Sequence, residues 1–72
     1  MPHIAVTMFP GRDRAAKEAL AKKLQATLVE ALGVSETVVS VSVQDIEKED
    51  WAESMKKIPQ SAMLIEPGTR IP

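Results

Sequence analysis

From His3 to Phe9 the chain alternates, with Ile4, Val6 and Met8 on one side and His3, Ala5, Thr7 and Phe9 on the other. That is the period of a pleated strand, so the chain is expected to open with a β-strand. Pro10-Gly11 breaks the alternation, and Asp13 is placed to cap a helix. Ala16, Leu20, Leu24, Leu28 and Ala31 then recur at helical spacing, and Gly33 closes the segment as a left-handed stop. From Val38 to Gln44 the alternation returns, with Val39, Val41 and Val43 on one face and Val38, Ser40, Ser42 and Gln44 on the other. Two strands joined by a helix of about 19 residues predict a βαβ unit with parallel strands and a right-handed crossover. Glu47 to Lys57 reads as a short helix around Trp51 and Met55, with Ile58 just beyond it. Pro59, Pro67-Gly68 and Pro72 keep the remaining tail irregular.

The fold class that follows is α/β: one βαβ domain spanning 1–72, a short C-terminal helix, and a two-stranded parallel sheet. One helix cannot cover both faces and both edges of such a sheet, so the remainder falls to further copies of the chain. Size strengthens this expectation. A single domain of 72 residues buries only about 60% of its unfolded surface, and with no cysteine it has no disulfide to compensate.

Charge and composition remove several classes of function. Nine Lys and Arg against ten Asp and Glu give a net charge of −1, which supplies no basic footprint for nucleic acid or an anionic membrane surface. No apolar stretch approaches the roughly 18 residues of a membrane span, and Met1-Pro2-His3-Ile4 does not begin a secretory leader. A cytoplasmic protein is expected. One histidine and no cysteine exclude thiol nucleophiles and multi-histidine metal cages, and no glycine-rich phosphate loop or nucleophile elbow occurs. No metal or cofactor is implied.

The remaining chemistry centres on Pro2. Initiator methionine is commonly removed ahead of proline, and its removal would expose a secondary amine at the start of a strand. Such an amine accepts a proton from a carbon acid once burial or a nearby cation keeps it neutral. Arg12, beyond the Pro10-Gly11 turn, could hold a carboxylate and depress that basicity. His3 should project away from the side of Pro2 and serve structure or an interface. Asp45, Glu47, Lys48, Glu49 and Asp50 read as a solvated charged segment. Met55, Met63 and Leu64 suit an interface.

A Met-Pro start, a strand, Gly11-Arg12, a helix ending near Gly33, a valine-rich strand and an aromatic at position 51 together resemble the 4-oxalocrotonate tautomerase family. The resemblance runs from Pro2 to about Trp51. It implies that Pro2 is the general base, that Arg12 binds the substrate carboxylate, and that the activity is a cofactor-independent keto-enol tautomerisation. Where the eponymous enzyme has a second arginine this chain has Ser40, which cannot stabilise an oxyanion by charge and so disfavours a dicarboxylate. Trp51 would wall off water and offer an indole N–H, and a backbone N–H near residue 39 or 40 would steady the enol oxygen.

The helix after Trp51, in place of a glycine-containing hairpin, makes the chain similar to the phenylpyruvate tautomerase-like bacterial subgroup. That subgroup implies a homodimer, with a hexamer as the alternative, and a 2-keto acid or its enol, such as phenylpyruvate, as the small-molecule partner. The candidate set is therefore Pro2 as catalytic base with Arg12, Ser40 and Trp51 binding substrate. Hydratase or dehalogenase chemistry, with Pro2 acting as an acid, is a second enzymatic possibility. A non-catalytic oligomeric binding module that keeps Met1 is a third.

Overall fold

The computed structural model describes residues 1–71; Pro72, expected to belong to the irregular tail, lies outside them. Strand β1 (His3–Met8) leads through a loop into helix α1 (Arg14–Leu32), and a 3-10 turn at Glu36–Val38 delivers the chain to strand β2 (Ser40–Asp45). A second 3-10 turn at Lys48–Asp50 runs into the short helix α2 (Trp51–Lys56), and a third at Gln60–Ala62 sits in the tail. No helix of the described residues is long and apolar enough to cross a membrane.

Each boundary has a local cause. The Asp13 carboxylate accepts the backbone N–H of Ala16 at 2.9 Å, satisfying one of the donors a helix leaves open at its start. At the other end Gly33 adopts φ 67° and ψ 32° and donates its N–H to the Val29 carbonyl at 2.9 Å. That left-handed geometry is costly for a residue with a Cβ. The valine-rich run begins pairing two residues later than alternation suggests. Ser35 accepts the Thr37 N–H through its hydroxyl, and this local turn chemistry winds Glu36–Val38 into the 3-10 turn before the strand starts.

The strands are parallel, in the register His3 opposite Ser40, Ile4 opposite Val41, Val6 opposite Val43 and Met8 opposite Asp45. The ladder is extended at both ends, by Ser40 N–H to the Pro2 carbonyl at 3.2 Å and Ile46 N–H to the Met8 carbonyl at 2.8 Å. Ile4, Val6, Met8, Val41 and Val43 are half-buried, whereas His3, Ala5, Ser40, Ser42 and Gln44 are exposed. The helix therefore covers the aliphatic face and leaves the other open. The stripe it turns inward is Lys17, Leu20, Ala21, Leu24, Gln25, Leu28 and Val29. Ala16 and Ala31, which spacing alone put in the stripe, are exposed, because the helix is rolled toward the Lys17–Ala21–Gln25 edge. Two polar contacts fix that roll: Lys17 Nζ pairs with Asp45 Oδ2 at 2.8 Å, and Gln25 Nε2 donates to the Glu36 carbonyl at 3.2 Å. Asp45 is thus the end of β2 and an ion-pair partner rather than part of a solvated loop.

The described residues contain no fully buried side chain. The protomer exposes 6114 Å², against about 4,400 Å² for a compact monomer of this mass. Among the exposed apolar residues, Leu64 (89%), Ile65 (73%) and Ile71 (95%) lie in the tail.

Removing the helix cap should be felt directly. Asp13→Ala is expected to lower unfolding free energy by about 1 kcal/mol, read from urea denaturation of variant and parent at one fixed protomer concentration.

Candidate active site

Because β1 and β2 run the same way, both strand starts lie at one end of the sheet and both strand ends at the other. The candidate residues divide accordingly. Pro2 and Ser40 meet at the starting end, where the Ser40 N–H holds the Pro2 carbonyl. Arg12 and Trp51 belong to the finishing end, the first in the loop from β1 to α1 and the second at the head of α2. Six strand residues at about 3.3 Å each separate the two groups by ~20 Å. Within one protomer the two groups are therefore apart, and a cleft that brings Arg12 to the Pro2 nitrogen would have to be shared between copies.

At the starting end, Pro2 is half-buried and Met1 is fully exposed. While Met1 is attached, the Pro2 nitrogen is an amide without a basic lone pair. The backbone N–H groups expected to steady an enol oxygen are already engaged: that of Ser40 by Pro2, and that of Val39 by the Glu36 carbonyl at 3.3 Å. His3 reaches across to β2, its Nδ1 2.7 Å from Ser40 Oγ and its Nε2 3.0 Å from Ser42 Oγ. Strand alternation put His3, Ser40 and Ser42 on the same side of their strands, but only the register shows that one imidazole bridges both hydroxyls.

At the finishing end, Gly11 takes φ 138°, a backbone setting that favours glycine. It turns the chain so that Arg12 precedes the Asp13 cap. Arg12 is exposed and makes no ion pair among the described residues, so its guanidinium is free to receive an anion. Trp51 is half-buried against Phe9, with ring centroids 5.1 Å apart and planes at 81°, an edge-to-face pair. Phe9 thereby packs against the indole, a contact the alternating pattern did not reveal. A groove of about 310 Å³ between α1 and β2, lined by Arg14, Lys17, Glu18, Ala21, Val41 and Val43, contains none of these residues.

Comparison with known proteins bears on what such an arrangement does. A family described as "Tautomerase enzyme" matches residues 1–54. A probable tautomerase of Xylella fastidiosa is 40% identical over 55 residues, covering 76% of this chain and 67% of that protein. A 2-hydroxymuconate tautomerase of Pseudomonas putida is 39% identical over 51 residues, 71% of this chain and 81% of its own length. A probable tautomerase of Bacillus cereus is 33% identical over 58 residues, covering 81% of this chain and 95% of that protein.

The aromatic pair is open to direct measurement. A double-mutant cycle of Phe9→Leu and Trp51→Leu should return a coupling of about 1 kcal/mol in unfolding free energy. A coupling near zero would mean that Phe9 does not hold the indole.

Proposed function

Starting from a chain that belongs to the tautomerase family, and hence from a tautomerase-type enzyme, we propose that it interconverts the keto and enol forms of a 2-keto acid such as phenylpyruvate, with Pro2 as the base. After removal of Met1, the neutral imino nitrogen takes the proton from the carbon next to the carbonyl as the keto form enolises. In the reverse direction prolinium delivers that proton to the same carbon, and the oxygen exchanges its own proton with water. Burial of the amine and a guanidinium beside it would both favour the neutral form this requires. Arg12 holds the substrate carboxylate, Ser40 contributes a hydroxyl, and Trp51 closes the site against water.

The observation that carries this reading is the anchored Pro2: its carbonyl is fixed by the Ser40 N–H, so the nitrogen has a set position at the sheet's end. The ~20 Å between the two groups then requires a second chain. Two copies related by a two-fold axis and set antiparallel bring the Pro2 end of one beside the Arg12 and Trp51 end of the other, twice. Such a homodimer would cover sheet edge and open face. The protomer's exposed area exceeds that of a compact monomer by about 1,700 Å², ample for a standard interface of about 800 Å² per partner. The phenylpyruvate-like assignment and the preference for a dimer over a hexamer draw support from α2, which occupies the segment after the 3-10 turn at Lys48–Asp50. We place the enzyme in the cytoplasm.

Three measurements test the reading. Pro2→Ala should abolish most turnover of the enol of phenylpyruvate by a chain whose mass shows that Met1 is gone; near-normal turnover would reject the base. Arg12→Ala should chiefly raise KM, by about tenfold or more. Mixing the Pro2→Ala and Arg12→Ala variants under exchange should restore turnover with the parental KM at about a quarter of the sites in a statistical population of dimers. No recovery in verified mixed dimers would reject a site shared between copies.

A further inference from the structure

The tail beyond α2 ends in a hook. Pro67 and Gly68 form the middle of a turn closed by the Thr69 N–H on the Glu66 carbonyl at 3.1 Å. Gly68 takes φ 93°, the positive setting that the third position of a type II turn demands, with proline favoured before it. The chain therefore reverses between residues 64–66 and 69–71, and the reversal is built into the sequence. Yet the hook turns Leu64, Ile65 and Ile71 out to solvent. Its own protomer does not receive them: the groove between α1 and β2 takes no lining residue from the tail. The match to the tautomerase family stops at residue 54, so the hook lies outside the segment that the family describes.

We propose that the hook of one copy docks in the α1–β2 groove of a second copy, with Leu64 and Ile65 on the aliphatic floor made by Ala21, Val41 and Val43. No residue of β1 lines the groove, so it opens beside the edge of β2 that has no strand partner. That edge also offers backbone hydrogen bonds to an extended segment. The dimensions agree: the α1 wall from Arg14 to Ala21 is about 10 Å long, the reach of about three extended residues, which is one arm of the hook. Charge agrees in both signs. The groove carries Arg14 and Glu18, bonded to each other at 2.9 Å with 89% and 57% of their side chains still exposed. The hook carries Glu66 and Arg70, neither of them in an ion pair among the described residues. Docking sets Glu66 against Arg14 and Arg70 against Glu18, and turns an isolated surface pair into a network of four charges. A lipid surface has no such match to make, because the acid of the hook cancels its one cation. The contact is on the α1 side of the sheet, so it is additional to the shared cleft of Pro2 and Arg12 and stands whatever the substrate.

The chain has no cysteine, so an introduced pair reports the contact directly. Full-length chain carrying Leu64→Cys or Ile65→Cys, exchanged with chain carrying Ala21→Cys and mildly oxidised, should give a disulfide between copies, which forms only where the two Cα atoms come within about 7 Å. Leu32→Cys, exposed at the far end of α1, serves as the collision control and should give several-fold less. Replacing Leu64 and Ile65 together by Ser should raise the protomer concentration at which the assembly dissociates by about tenfold or more. Both positions are exposed in the protomer, so its circular dichroism should not change. Cross-linking no greater than the Leu32→Cys control from both hook positions, or an unchanged dissociation concentration in the serine variant, would overturn the proposal. So would closure of the disulfide within a single chain that carries Ile65→Cys and Ala21→Cys, which would assign the hook to its own groove. Binding of the parent chain to phosphatidylcholine vesicles, lost in the serine variant and without cross-linking between copies, would assign it to a lipid surface and overturn the proposal as well.

Discussion

Parallel pairing of β1 with β2 is the constraint from which the rest follows. The register sets Pro2 and His3 beside Ser40 and sends the two strand ends, with the loops that carry Arg12 and Trp51, to the far side. An antiparallel hairpin of the same length would have mixed starts and ends, but a helical crossover of this size between neighbouring strands returns the chain to run parallel. The base and the carboxylate receptor of the proposed reaction are thus segregated by topology. No side-chain rearrangement in one protomer closes a gap of ~20 Å.

The same topology leaves the protomer without an interior. One helix on one face half-buries the aliphatic residues of both strands and fully buries none of them. Specific contacts compensate where packing is thin: the polar Lys17–Asp45 pair and Gln25–Glu36 bond set the roll of α1, and the aromatic Phe9–Trp51 pair ties α2 to the end of β1. An exposed ion pair is worth little. Lys17, however, keeps only 22% of its side-chain exposure, so this pair lies nearer to the packed layer than those of Arg14 with Glu18 or Lys56 with Glu53.

Local rules made most of the fold legible in the sequence. Alternation located both strands, and the Asp13 cap and Gly33 stop fixed the helix at both ends, because each of these is decided within a few residues. What was not legible depended on contacts between elements. The start of β2 moved because Ser35 captured a neighbouring N–H, and the buried stripe of α1 rotated away from Ala16 and Ala31 because Lys17 and Gln25 found partners on other elements. Among the site residues, Pro2, Arg12, Ser40 and Trp51 were identified by type and by family resemblance. Their division between two ends of the sheet became visible only with the register. Phe9 and Ser42 carried no signal of their own: one looked like the last residue of a strand, the other like the polar side of one.

A protomer that lacks both an interior and a complete site has one remedy for both deficits. In the assembly proposed here, the surface that closes the core also brings Arg12 to Pro2, so association acts on folding and on chemistry through the same contacts. Linkage then makes the two inseparable: whatever weakens the interface lowers stability and the concentration of competent sites together. Removal of Met1 belongs to the same logic. It uncovers the amine at the one point of the chain where the strand ladder already fixes the backbone, by way of the Ser40 N–H, and it places that amine on the edge of the surface a partner would cover. In the proposed assembly, a base in that position would take its low-dielectric surroundings from the partner rather than from its own fold.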